Sequence, residues 1–137
     1  MRALCKKLNV TIELAPPGQH RTNAAERAIR TWKNHFISTL CTTDKGFPLE
    51  QWDEFVEQAE IILNLMRTCR HNSTISAFEA LRGKFDLNKT PIAPAGTRVV
   101  VHVKPLERAS WDTHGLEGIY VGLALEHYRC YKCFVRA

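Results

Sequence analysis

The chain has 137 residues, 45% of them hydrophobic, five cysteines and a net charge of +5. That length builds one modest core or two small ones. No apolar run of roughly 18 residues exists to span a bilayer, and "MRALCKKLNV" lacks the apolar centre and small-residue cleavage site of a signal peptide. A soluble protein that is not exported is the expectation. The odd number of scattered cysteines argues against a disulfide framework and fits a reducing compartment.

Charge is more telling when divided along the chain. Residues 1–46 hold eight Lys/Arg against three Asp/Glu, residues 47–97 five against seven, and residues 98–137 six against four. The positive excess therefore sits in the first third. Such a cluster attracts phosphate, although a solvated helix face also collects these residues.

In chain order, residues 1–7 look helical. In "LNVTIELAP", Val10, Ile12 and Leu14 alternate with Thr11 and Glu13 as in a strand, which Pro16, Pro17 and Gly18 stop. From Asn23 to Cys41 the spacing predicts a long helix, because Ala25, Ala28, Ile29, Trp32, Phe36 and Leu40 recur with helical period. Thr22 or Asn23 can cap it. With Thr22 as the cap, Ala25 takes the position where a capping box wants Glu.

On a helical wheel with Glu26 at zero, Arg30 falls at about +40°, Lys33 at about −20°, Asn34 at about +80° and Arg27 at about +100°. The apolar set occupies the other side. Glu26 thus shares the solvent or ligand face with Arg30 and Lys33. An i, i+4 ion pair between Glu26 and Arg30 is one reading of that placement, and a ligand-facing carboxylate is the other.

"TDKGFPLEQW" connects this helix to the next, with Gly46 able to end the first and Pro48 near the start of the second. The second helix carries Trp52, Phe55, Val56, Ala59, Ile62, Leu63 and Met66 as its apolar stripe, with Glu50, Asp53, Glu54, Glu57 and Glu60 outside. Those acids suit a solvated face, since no His or Cys converges with them. "AFEALRGKFD" predicts a short helix ended by Gly83, and "NKTPIAPAG" a linker.

Beyond Gly96 the period changes. "TRVVVHV", "GIYVGLAL" and "HYRCYKCFV" predict three strands in a small sheet or barrel. Cys130 and Cys133 form a lone CxxC, and an i, i+3 pair on a strand points to opposite faces, so zinc is not expected there. The six histidines are dispersed, and no Gly-rich phosphate loop, GxSxG or HExxH occurs.

The string "APPGQHRTNAAERAIRTWKNHF" resembles the stretch around the final catalytic glutamate of retroviral and retrotransposon integrases, where a Pro/His-containing loop leads to "ER" and a basic amphipathic helix. "ILNLMRTCRHNSTISAFEALRGKFDLN" is similar to the following integrase stretch, with Ser76 and Ala77 standing before Phe78 where that family usually has proline. The run from Gly96 to Val135 is similar to the β-rich segment after the core in retrotransposon polyproteins. The resemblance spans nearly the whole chain, with its three pieces in the family's order.

The resemblance implies an α/β fold, a truncated RNase H-like integrase core. One short strand and a long helical hairpin make its partial core over 1–90, residues 91–97 link, and a small β-rich module covers 98–137. It makes Glu26 the third acid of an Asp, Asp, Glu triad and a ligand of Mg²⁺ or Mn²⁺. Arg27, Arg30, Lys33 and Asn34 become DNA contacts. Such enzymes cluster carboxylates to hold two divalent ions a few ångströms apart during phosphoryl transfer.

Neither aspartate of that triad has a counterpart in these 137 residues. A fragment related to DNA integration, binding DNA but inactive alone, is therefore expected, with self-association through uncovered apolar surface. No membrane or small-molecule partner is implied, and a nuclear location would suit such a relative, although no dense basic run supports one. A non-catalytic nucleic-acid-binding adaptor and a protein-interaction module docking through the acidic second helix remain alternatives.

Overall fold

The computed structural model describes residues 5, 7–11, 16–18 and 23–136. The chain divides into two compact units, Met1–Lys33 and Asn34–Ala137. Most of the strand expected around Val10 to Leu14, and Thr22 as a cap, lie outside the described residues; Cys5 and Lys7 have helical backbone. No helix among the described residues is long and apolar enough to cross a membrane.

Helix α1 runs Ala24–Thr42 and is the one element that passes from the first unit to the second. Asn23 caps it. Its side-chain Oδ1 accepts from the Ala25 N–H at 3.0 Å, and its carbonyl accepts from the Arg27 N–H at 3.2 Å. Within the second unit, Phe36 is the buried residue of this helix and meets the Trp52 ring edge-on at 5.9 Å.

The connection after α1 is built on Asp44. Its carboxylate accepts from the Gly46 N–H at 2.8 Å and from the Arg98 guanidinium at 2.8 Å. Gly46, expected to end the helix, instead forms this turn. The Gly46 N–H and then Arg98 hold the Asp44 carboxyl below its ordinary value.

The second long helix of the expected hairpin divides in two. Leu49–Phe55 is a 3₁₀ turn, with Gln51 at φ −99°, ψ 29°, and helix α2 spans only Val56–Met66. The tighter wind brings Phe55 to complete burial against Phe47, 4.5 Å between centroids, and leaves Trp52 half exposed. Burying a phenylalanine that fully is worth about 3–5 kcal/mol on truncation. The acids Glu50, Asp53, Glu54, Glu57 and Glu60 are all exposed, as a solvated face requires.

Helix α3, Ala77–Arg82, follows a loop whose ends are tied by Cys69 N–H to Ile75 O at 2.9 Å and Ala77 N–H to Arg67 O at 2.8 Å. Ser76 caps α3 by accepting from Glu79 N–H at 3.0 Å, and Gly83, at φ 86°, ends it.

Three antiparallel strands complete the chain in the order β1 (Arg98–His102), β2 (Gly115–Leu123) and β3 (Tyr131–Val135). The expected strands are thus present, and the architecture is mixed α and β. β1 pairs with β2 in a regular register from Arg98 opposite Ile119 to His102 opposite Gly115. The β2–β3 pair is bulged between Tyr120 and Gly122.

Helices and sheet share a core in the second unit. Ile61, Phe78 and Leu123 come together from α2, α3 and β2, with Leu65, Phe85 and Ile92 packed around them. Phe134 of β3 meets Phe47 edge-on at 5.4 Å. The Pro-rich stretch before β1 is irregular but not loose: Ala95 and Gly96 are buried, and Gly96 N–H donates to Tyr120 O at 2.8 Å.

Candidate nucleic-acid interface

Glu26, Arg27, Arg30 and Lys33 lie in the first unit's part of α1, and Asn34 opens the second unit's part. All five are exposed. Residues spaced three and four apart on a helix are neighbours, so Glu26 shares a face with Arg30 and Lys33. The ion pairs among the described residues are Asp44 with Arg98 and Glu57 with Lys132. Arg27, Arg30 and Lys33 belong to neither of these.

Asn23 as the cap changes the reading of Glu26. It makes Glu26 the third helical residue, the place of the acid in a capping box and one where the partial positive charge of a helix start favours a carboxylate. The spacing Asn23-x-x-Glu26 was visible in the sequence as an alternative to the Thr22 cap. Local helix chemistry alone therefore accounts for an acid at this position.

The side of α1 expected to be apolar is only partly covered. Ala25 and Ala28 are exposed, and Ile29 is 65% exposed. Burial on this helix is concentrated at Phe36.

Three features were not legible in the sequence. Between α1 and α2, within the second unit, lies a cavity of about 370 Å³ lined by His35, Thr39, Gln58, Ala59, Ile62 and Ala95, among others. Gln58 is 2% exposed, and its Oε1 accepts from Leu123 N–H at 3.1 Å. That bond fixes which end of the amide is oxygen, and leaves Nε2 buried without a hydrogen-bond partner among the described residues, as is His35 Nε2. Only the glutamine's place among apolar neighbours signalled such a role.

Cys130 is exposed and Cys133 half-buried, and burial pushes the Cys133 thiol up, away from the thiolate that metals and electrophiles require. Among the described residues, no three His, Cys, Asp or Glu side chains gather as a ligand set for a metal ion. No protein-family model, curated protein or solved structure matches the chain.

Proposed function

We propose that the chain is part of a retrotransposon-type integrase, with the last portion of an RNase H-like core at its start, and that it binds DNA through helix α1. The observation that carries this reading is the row of exposed cations Arg27, Arg30 and Lys33. Long cationic side chains exposed on a helix face are suited to phosphate oxygens. The ordered likeness around "NAAERAIRTWKN" adds Glu26 as the third acid and Asn34 as a further contact.

The metal of that family does not fit the residues present. Mg²⁺ takes octahedral oxygen ligands, and a two-ion site takes several carboxylates, whereas this stretch supplies Glu26 alone. In these 137 residues the function is therefore binding, with no cleavage or joining step.

Fluorescence anisotropy of a short labelled duplex, titrated with the chain over a range of salt, tests the proposal. Affinity should fall steeply with salt. Arg30→Ala with Lys33→Ala should reduce the log–log salt slope by about 0.9 for each phosphate contact removed. Binding that persists in the double variant would move the contact to the β-sheet, and absence of salt-dependent binding would leave a protein-docking module.

A further inference from the structure

The cavity between α1 and α2 has three walls, all within the second unit. α1 contributes His35, Thr39 and Thr42, α2 contributes Gln58, Ala59 and Ile62, and the irregular stretch before β1 contributes Ile92 to Ala95. That third wall is fixed where it meets the sheet. Thr97 Oγ1 donates to Pro94 O at 2.7 Å, Gly96 N–H to Tyr120 O at 2.8 Å, and Asp44 N–H to Gly96 O at 3.0 Å. The space is thus built into the fold. Gln58, Ala59 and Ala95 are buried in it, and it opens to solvent where Thr42 and Pro94 are exposed.

The polar groups around the cavity are few, and each has a definite capacity. Gln58 uses its Oε1 on Leu123 N–H, which leaves the Nε2 hydrogens as donors, shut off from solvent and without a hydrogen-bond partner among the described residues. His35 Nε2 is in the same condition, and an imidazole nitrogen can donate or accept. The Thr39 and Thr42 hydroxyls donate to the helix carbonyls of His35 and Thr39, at 3.2 and 2.9 Å, so acceptor lone pairs are what they present. No Asp, Glu, Lys or Arg among the described residues lines the space. A buried amide without a partner is costly, and folded proteins keep such a group where something else completes it. One water would satisfy the amide but leave most of the volume empty. An apolar cavity of about 150 Å³ already holds benzene, and this one measures about 370 Å³.

We propose that this cavity binds a small neutral carboxamide: a single ring, or an apolar body of that size, carrying a carbonyl oxygen beside an N–H. The carbonyl accepts from Gln58 Nε2, the N–H donates to a threonine hydroxyl or to His35 Nε2, and the ring packs on Ala59, Ile62 and Ala95. A charged ligand would be desolvated here with no Asp, Glu, Lys or Arg to compensate it. The inference does not rest on DNA binding by α1.

Titration of the full chain with benzamide, benzoate and ethylbenzene, followed by NMR of the Gln58 side-chain amide and by thermal unfolding, tests it. Benzamide should bind saturably with millimolar or tighter affinity, shift the Gln58 amide resonances and raise Tm. Benzoate and ethylbenzene should bind at least about ten-fold more weakly. Ala93→Phe should fill the space and abolish benzamide binding with an unaltered circular dichroism spectrum. If Ala93→Phe does not fold, the comparison of the three probes on the unaltered chain decides alone. Ethylbenzene binding as tightly as benzamide overturns the proposal, as does tighter binding of benzoate. So does a Gln58 amide that keeps a long-lived water and that no probe shifts, or benzamide binding that Ala93→Phe leaves intact.

Discussion

Gln58 of α2 accepts a hydrogen bond from the backbone N–H of Leu123 in β2, 3.1 Å apart in a buried setting. One side chain thereby joins helix to sheet just past the β2 bulge, where ladder bonding is interrupted. Gly122 makes the approach feasible, since a Cβ there would lie 3.0 Å from Gln58 Cβ and 3.1 Å from its Oε1. Gln58→Ala should cost about 2–4 kcal/mol in denaturant unfolding, from the stranded Leu123 N–H and the space left behind. Gly122→Ala should cost about 1–3 kcal/mol by overpacking. The double variant should be somewhat less destabilised than their sum, because Gln58→Ala removes the Oε1 contact with the new methyl while the Cβ contact stays.

Gly96 is expected to be the least replaceable glycine. Its φ is 81°, and an added Cβ would come within 2.5 Å of Thr43 Oγ1 and 2.6 Å of Thr43 Cα. Its N–H and carbonyl are also both used, to Tyr120 O and from Asp44 N–H. Gly96→Ala should lose about 3 kcal/mol or more by thermal or chemical unfolding. Gly83 has similar φ but open space around it, so Gly83→Ala should cost only the backbone strain, about 1–3 kcal/mol.

Acid should act through Asp44. Its folded pKa lies below the ordinary 3.8, so its contribution is present above that value and is lost as pH falls through the folded pKa. Asp44→Asn keeps an oxygen for Gly46 N–H but loses the charge opposite Arg98. The stability difference between the two proteins should therefore be largest near neutrality and shrink below about pH 4, as read from urea midpoints across pH.

Alkali should act through Tyr120. Burial raises its hydroxyl to about 12 from 10.0, so its favourable term holds below pH 10 and is lost as pH rises through the folded value. Tyr120→Phe should flatten the alkaline fall in stability. In a titration of tyrosinate absorbance, the step that Tyr120→Phe removes should lie above the ordinary tyrosine value.

The fold was legible wherever a local pattern decides the outcome. Val99 and Val101 alternate with outward neighbours, and the three strands lie close to where that alternation puts them. Ser76-x-x-Glu79 and Gly83 mark both ends of α3, because caps are made within a few residues of chain. The long helix after Pro48 was overread, since its apolar spacing also fits a 3₁₀ turn that seats Phe55 on Phe47. At the candidate site, the exposure of Arg27, Arg30 and Lys33 follows from the helical wheel.

Alone, the sequence determined the helix after Asn23, the short helix ended by Gly83, the three strands beyond Gly96 and where the positive charge gathers, because each depends on neighbours a few positions away. Tertiary structure alone decided that Gln58 bonds to Leu123, that Asp44 meets Arg98 and that Gly96 must be glycine. These relationships join residues up to 65 positions apart. Long-range pairs of this kind are set by packing and by the obligation to satisfy buried polar groups, which no local period encodes.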